Sequence, residues 1–166
     1  MEKSSRSSLA GTLQLRDVTD SDLPTFFEQQ LDPAANHMAA FTSRDPADKA
    51  AFSAHWSNIL ADDTITIKTI LFKDHVAGHI AQFGRFGETE VSYWIGQEYW
   101  NKGITTEALS QFIHILPGRP LFARVAKDNI ASIRVLEKCG FAVSGEEKAF
   151  AQARGEPITE LIYKLL

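Results

Sequence analysis

The chain has 166 residues, 44% of them hydrophobic, and this length and composition predict one globular domain with a core of ordinary size. Its 21 acidic and 17 basic residues give a formal net charge of −4 with no long run of one sign, which argues against a nucleic-acid-binding protein. The single cysteine, Cys139, excludes an intrachain disulfide framework, and no apolar run approaches the roughly 20 residues that span a bilayer.

The first residues, MEKSSRSSLAG, carry charges and serines where a signal peptide needs an apolar segment. We therefore expect residues 1–11 to be a flexible leader and residues 12–166 to form a single domain of a cytoplasmic protein.

The first third of the chain predicts one strand and two helices. Residues 12–18 alternate as a strand does, and Asp20 or Ser21 is the expected N-cap of a helix with apolar residues at helical spacing (Leu23, Phe26, Phe27, Leu31). The stretch DPAANHMAAFTSRDP predicts a loop. A second helix is expected to begin near Pro46, because proline suits a first helical turn.

The middle of the chain predicts strands and turns. β-Branched and aromatic residues alternate through 64–86 on either side of KDH, which predicts a hairpin, and the turn GET leads into a strand over 90–96. The stretch YWNKGITTEAL then opens a helix that runs to about Leu116, with one apolar face (Ile104, Ala108, Leu109, Phe112, Ile113, Leu116).

The last third predicts a short buried strand, a helix and a hairpin. LFARVA (121–126) is the strand, DNIASIRVLEKCG is a helix closed by Gly140, and FAVSGEEKAF pairs with ITELIYKLL. The strands outnumber the helical crossovers, so the expected fold is α/β (α+β) with a mixed sheet.

The stretch YWNKGITTEAL places a small polar turn between a strand and a helix. The first helical turn has four backbone N–H groups without intrahelical partners and a partial positive charge, and such an end binds anions where the backbone can be approached closely. Gly103 removes a side chain there, Lys102 adds a charge, and Thr105 and Thr106 add hydroxyl donors. The alternative is an ordinary corner capped by Asn101.

A second segment, DNIASIRVLEKCGF, places Asn129 and Ser132 on one side of a helix that follows a strand. Here the alternative is an N-cap at Asn129 and a solvated Ser132. Together, EVSYWIGQEYWNKGITTEAL and ARVAKDNIASIRVLEKCGFAVSGEE resemble the GNAT superfamily of acyl-CoA-dependent N-acetyltransferases, most closely the RimJ/RimL-type ribosomal-protein N-terminal acetyltransferases. The likeness is sharp from about Glu90 to Gly145.

The resemblance implies a GNAT-type fold, a central, mostly antiparallel sheet of about six to seven strands flanked by about four helices. It also implies acetyl-CoA as co-substrate. By that likeness, the backbone of the turn holds the pyrophosphate (Asn101, Lys102, Gly103, Ile104, Thr105, Thr106), and the strand end pairs with the pantetheine arm (Trp94, Ile95, Gly96). Asn129 would hydrogen-bond the cofactor, and Ser132 would sit near its sulfur.

Some positions depart from the family pattern. Trp100 stands where the wider family has Arg or Gln, a replacement common in this branch. Asn101 stands where this branch usually has Gly, and Gln97 where Pro is frequent. Thr105 stands in the place of Gly or Ala, and its branched side chain either donates to the phosphate or crowds it.

The catalytic residues expected from the resemblance are Glu90 and Ser132. Many GNAT enzymes place a general-acid Tyr where this chain has Leu136, so Ser132 is the replacement candidate, acting directly or through a water. Glu90 is the expected general base, with Glu146 and Glu147 as alternatives.

The expected function is acetyl transfer to a primary amine by direct attack in a ternary complex, with a peptide N-terminus or a small amine as acceptor. A non-catalytic acyl-CoA-binding module is the alternative from another class. His75 and His79 share the spacing of a helical metal site but fall in a predicted strand, where they lie about 13 Å apart, so no metal is expected. Neither nucleic acid nor a membrane is expected as a partner, and the expected state is a monomer or a homodimer.

Overall fold

Seven strands form one sheet in the computed structural model, which describes residues 11–166. The strands are β1 (Leu13–Asp17), β2 (Thr66–Phe72), β3 (His75–Arg85), β4 (Glu88–Ile95), β5 (Leu121–Ala126), β6 (Ala142–Ala151) and β7 (Glu156–Leu165). Their order is β1-β2-β3-β4-β5-β7-β6, and only the β4–β5 pair is parallel. The predicted mixed, mostly antiparallel sheet is thereby confirmed. The predicted leader, apart from Gly11, lies outside the described residues.

Within residues 11–166, five α-helices cover the sheet, one more than expected. They are α1 (Leu23–Gln30), α2 (Pro33–Ala39), α3 (Lys49–Ala61), α4 (Ile104–Ile115) and α5 (Ile130–Lys138), with short 3-10 turns at Asp20–Asp22 and Gln97–Tyr99. No helix within residues 11–166 is long and apolar enough to cross a membrane.

The predicted loop after the first helix was wrong, because α2 lies inside it. Asp32 caps α2 by accepting a 3.0 Å hydrogen bond from Ala34 N, and Pro33 occupies the first turn. The sequence of α2 is rich in alanine and lacks an apolar stripe, so periodicity did not reveal it. The neighbouring helix starts were also wrong: α1 begins after Asp22, and Asp48, not the Pro46 region, caps α3.

Tight turns set the registers of the two central hairpins. Lys73 and Asp74 both have positive φ between β2 and β3, and Phe86 and Gly87 do so between β3 and β4. The hairpin predicted around KDH is thereby confirmed. The apolar face predicted for α4 is buried throughout and packs on the sheet with Ile80 and Val91.

An aromatic cluster on the opposite face of the sheet encloses His79. Its ring lies 4.8 Å from the ring of Phe26 and 4.9 Å from that of Trp56. Burial, together with the nearby His55, lowers the pKa of His79 to about 3, so the ring is neutral at physiological pH. No group of three or more His, Cys, Asp or Glu residues able to hold a metal ion occurs within residues 11–166.

The buried carboxylate of Asp22 predicts a loss of stability in acid. Burial raises the pKa of Asp22, but bonds from Arg16 (2.7 and 2.8 Å), Thr19 N (2.9 Å) and Thr69 (2.7 Å) outweigh it and lower the pKa to about 2. In the folded state the Asp22 carboxylate therefore binds a proton only at lower pH than it does in the unfolded chain. We expect roughly 2 kcal/mol of folding stability, present above pH 4, to disappear as the pH falls towards 2. Denaturant unfolding against pH should show this for the wild type and for Asp20→Asn, an exposed control, whereas Asp22→Asn should lack it. An equal acid dependence in Asp22→Asn would contradict this role.

Candidate active site

The strands β4 and β5 separate and leave a gap between them. They pair at one register position, Glu90 opposite Phe122. Beyond that point, residues 91–95 of β4 and 123–126 of β5 line opposite sides of a cavity of about 510 Å³. We call this cavity the β4–β5 gap. Because parallel strands normally continue their ladder, the separated edges leave backbone groups available to an extended ligand.

The turn before α4 forms one end of the gap. Asn101 (φ 60°) and Gly103 (φ 76°) both adopt the left-handed backbone conformation, which Gly adopts freely and Asn tolerates better than most residues. The first backbone bond of the helix runs from Glu107 N to Gly103 O, so the amides of Ile104, Thr105 and Thr106 precede the intrahelical ladder. Gly103 is the N-cap, and no side chain caps the helix. The alternative in which Asn101 caps the helix was therefore wrong.

The β4 end of the gap combines backbone with two tryptophans. Trp100 lines the gap and donates a 2.8 Å hydrogen bond from its indole nitrogen to Ile95 O, while Trp94 donates to Gln29 O at 3.3 Å. Gly96 is not among the residues that line the gap. Its amide donates to Ala77 O of β3 at 2.9 Å.

Lys102 is also absent from the lining, although its neighbours Asn101 and Gly103 are present. Its ammonium lies 6.0 Å from the centre of the Tyr99 ring. Two other cations, Arg134 and Lys138 of α5, line the gap instead. Sequence reasoning missed them, although they lie four residues apart on the helix that carries Ser132.

Asn129 and Ser132 line the gap from the start of α5. Asn129 is the N-cap of α5, and its side-chain oxygen accepts a 3.3 Å hydrogen bond from Ser132 N. The alternative interpretation of Asn129 as an N-cap is thereby confirmed. Its amide nitrogen donates to Met38 O of α2 at 3.2 Å. The Asn129 side chain therefore joins α2 to α5, and the two hydrogen bonds described for it are made to other residues of the chain.

Ser132 meets a residue that the sequence did not single out. The phenol oxygen of Tyr93 lies 2.6 Å from Ser132 Oγ, and both side chains line the gap. Tyr93 lies two residues from both Val91 and Ile95 on β4, so all three face the side of the sheet that packs against α4. This spacing was the sequence signal that could have identified Tyr93. Leu136 is buried, as an apolar residue at that position should be.

Glu90 lies at the closed end of the gap and is not among its lining residues. Its carboxylate is buried 3.2 Å from Nε of Arg124 and 3.6 Å from Arg85. Burial raises the pKa of Glu90, while the two arginines oppose the rise.

Arg124 connects this cluster to the gap, which it lines, and it also pairs with Glu147 (3.1 Å) and Glu160 (3.2 Å). Of the alternative bases, Glu147 is thus held by Arg124, and Glu146 lies 3.9 Å from Lys127.

Comparison with known proteins identifies a family that matches most of the chain. The family described as "Acetyltransferase (GNAT) domain" matches residues 12–142. An uncharacterized N-acetyltransferase p20 of Bacillus licheniformis is 29% identical over 84 residues, which cover 48% of this chain and 47% of that protein. The chain thus matches about half the length of this curated relative.

Two solved structures share the fold across nearly the whole chain. RimL, a ribosomal L7/L12 alpha-N-protein acetyltransferase in complex with coenzyme A, has a TM-score of 0.80 at 16% identity and covers 95% of this chain and 96% of its own. The spermidine N-acetyltransferase of Vibrio cholerae, in complex with CoA and spermine, has a TM-score of 0.81 at 15% identity, with coverage of 94% and 96%.

Proposed function

The chain belongs to the acetyltransferase (GNAT) domain family, and from this premise we propose that it transfers an acetyl group from acetyl-CoA to a primary amine. The observation that carries the proposal is the β4–β5 gap, an opened strand pair that ends at the amides of a helix N-terminus. An extended arm with a diphosphate at one end fits such a site, because the strand edge pairs with the arm and the helix end attracts the anion.

We assign the diphosphate to the amides of Ile104, Thr105 and Thr106, where Gly103 leaves the approach free of a side chain. Arg134 and Lys138 line the same cavity and add positive charge in a protein whose net charge is −4. The pantetheine arm then lies along residues 91–95 of β4.

When bound, acetyl-CoA supplies a thioester whose carbonyl carbon the amine attacks; the C–N bond forms as the C–S bond breaks. Backbone N–H groups at the end of β4, around Trp94 and Ile95, would stabilise the oxyanion, a contribution of about 3 kcal/mol per donor in other enzymes. Ser132 would donate a hydrogen bond to the departing sulfur. The amine must arrive neutral and lose one proton, which balances the proton gained by the thiol.

The acceptor that we propose first is a peptide N-terminal amine, in a protein of the RimJ/RimL type. An α-amine has a pKa of roughly 8, so a useful fraction is neutral near pH 7, whereas a lysine amine near 10.4 needs a stronger base. The fold shared with RimL supports this choice. A polyamine is the second candidate, because the spermidine N-acetyltransferase shares the fold as closely.

Two measurements test the proposal. Acetyl-CoA should raise the melting temperature, and thiol release should occur with one member of a panel: peptides beginning with Ser, Ala or Met, spermidine, spermine and free amino acids. Release with a peptide supports the N-terminal acceptor, and release with spermidine the second candidate. A melting shift without any release would favour a non-catalytic acyl-CoA-binding module, and no shift would overturn the cofactor assignment.

Glu90 as general base is a further prediction of this proposal. Burial raises the pKa of Glu90 above its ordinary value, and Arg124, which pairs with Glu90 at 3.2 Å, lines the gap. Glu90→Gln should lower kcat by about 10²-fold, remove the acid limb of the pH–rate profile and leave acetyl-CoA binding unchanged. Glu147→Gln, which removes another carboxylate from Arg124, is the matched control and should keep that limb. An unchanged profile in Glu90→Gln would exclude Glu90 as the base.

A further inference from the structure

The hydroxyls of Tyr93 and Ser132 form an isolated pair inside the β4–β5 gap. Their oxygens are 2.6 Å apart, and the only other acceptor recorded for Tyr93 within residues 11–166 is Ser132 O at 3.5 Å, which is too long for a strong bond. Ser132 Oγ has no second partner in this part of the chain.

The direction of this hydrogen bond follows from the acidity of the two groups. A phenol is more acidic than an aliphatic alcohol and is the better donor, and burial raises the pKa of Tyr93 further, so the phenol stays protonated. A buried O–H group needs an acceptor, and Ser132 Oγ is the one within reach. These properties favour Tyr93 as the donor to Ser132, which leaves the proton of Ser132 free to point elsewhere.

We propose that Tyr93 is a positioning residue that fixes the Ser132 hydroxyl with its proton directed into the gap, towards the sulfur of the bound thioester. The inference rests on the proposed function. A free serine rotor samples three staggered positions, whereas one that accepts from Tyr93 is held with its proton turned away from that donor. The strong bond from the phenol also makes Ser132 a better donor.

No proton leaves either residue in this arrangement. As the C–S bond breaks, negative charge develops on sulfur, and Ser132 stabilises it by a hydrogen bond. The amine nitrogen loses one proton to the general base, and the thiolate gains one proton from solvent, so the protons balance. Tyr93 never becomes a buried phenolate, which its environment opposes.

The test uses coenzyme A alone, through the ultraviolet absorbance of its thiolate as a function of pH when bound to the protein. Tyr93→Phe and Ser132→Ala should each raise the pKa of the bound thiol by about one unit, and the double variant should raise it no further. Tyr163→Phe is the matched control, because it removes another buried phenol, bonded to Glu137 at 3.3 Å and outside the gap. It should leave the thiol pKa unchanged.

Turnover with the acceptor found in the panel gives the second readout. Tyr93→Phe should lower kcat about tenfold at every pH, with the KM for acetyl-CoA and the shape of the pH profile unchanged. Equal thiol pKa values in all variants that bind coenzyme A, or additive effects in the double variant, would overturn the positioning role alone. Failure of every protein to bind coenzyme A would overturn the proposed function and this inference with it.

Discussion

Gly78→Ala should destabilise the folded protein by more than about 3 kcal/mol, the largest stability effect that we expect from one methyl group. Gly78 lies on β3 opposite Ile95 of β4. A Cβ added there would lie 2.0 Å from Trp94 O and 3.0 Å from the Cα of Ile95. Both obstacles are backbone atoms of a central strand, so no side chain can rotate away, and β4 itself must move.

The displaced segment of β4 is the one that borders the β4–β5 gap, so the damage should include the ligand site. Thermal unfolding should show a fall of roughly 6–12 °C or more for a chain of this length. Gly84→Ala is the control on the same strand, because a Cβ at Gly84 meets nothing within 4 Å. Alanine in a strand costs less entropy than glycine, so Gly84→Ala should melt at or slightly above the wild type. Equal melting temperatures for the two variants would show that β3 and β4 yield easily.

The parts of the site that the sequence predicted are those built from local pattern. The apolar face of α4 repeats with helical period, and LFARVA and the preceding strand alternate or run apolar between turn residues. These elements carry the turn at Gly103 and the pair Asn129 and Ser132, and all three residues line the gap. Local periodicity, together with the family likeness of the two segments, was enough to bring them together.

The features that escaped prediction depend on contacts between distant segments. Tyr93 and Ser132 are 39 positions apart and meet because β4 and α5 share one face of the sheet. Arg124 gathers carboxylates from β4, β6 and β7, which no spacing along one strand reveals. The helix α2 was missed for the opposite reason, because its alanine-rich sequence has helix propensity but no pattern. Propensity alone is a weak guide over seven residues.

Gly103→Asp should abolish the rise in melting temperature that acetyl-CoA gives the wild type, which we expect to be roughly 5–11 °C at a hundred times Kd. A side chain at φ 76° costs about 1–2 kcal/mol, because L-residues are strained in left-handed backbone. An aspartate at the N-cap interacts favourably with the helix dipole, and this offsets part of that cost. The free protein should therefore stay folded. The new carboxylate would nevertheless occupy the position of the diphosphate and repel it.

Gly155→Asp is the control for Gly103→Asp, because it introduces a side chain at positive φ without placing a charge at the diphosphate site. Gly155 has φ 65°, its Cβ would meet nothing within 4 Å, and it lies in the β6–β7 turn outside the gap. Without ligand, Gly155→Asp should lose somewhat more stability than Gly103→Asp, because no helix dipole offsets its strain, yet only Gly155→Asp should keep the acetyl-CoA shift. Asn101→Pro should also lose the shift, because proline fixes φ near −65° where the turn requires φ 60°. A wild-type shift in Gly103→Asp would show that the diphosphate does not bind at the start of α4, since an anion there cannot share the helix N-terminus with a fixed carboxylate.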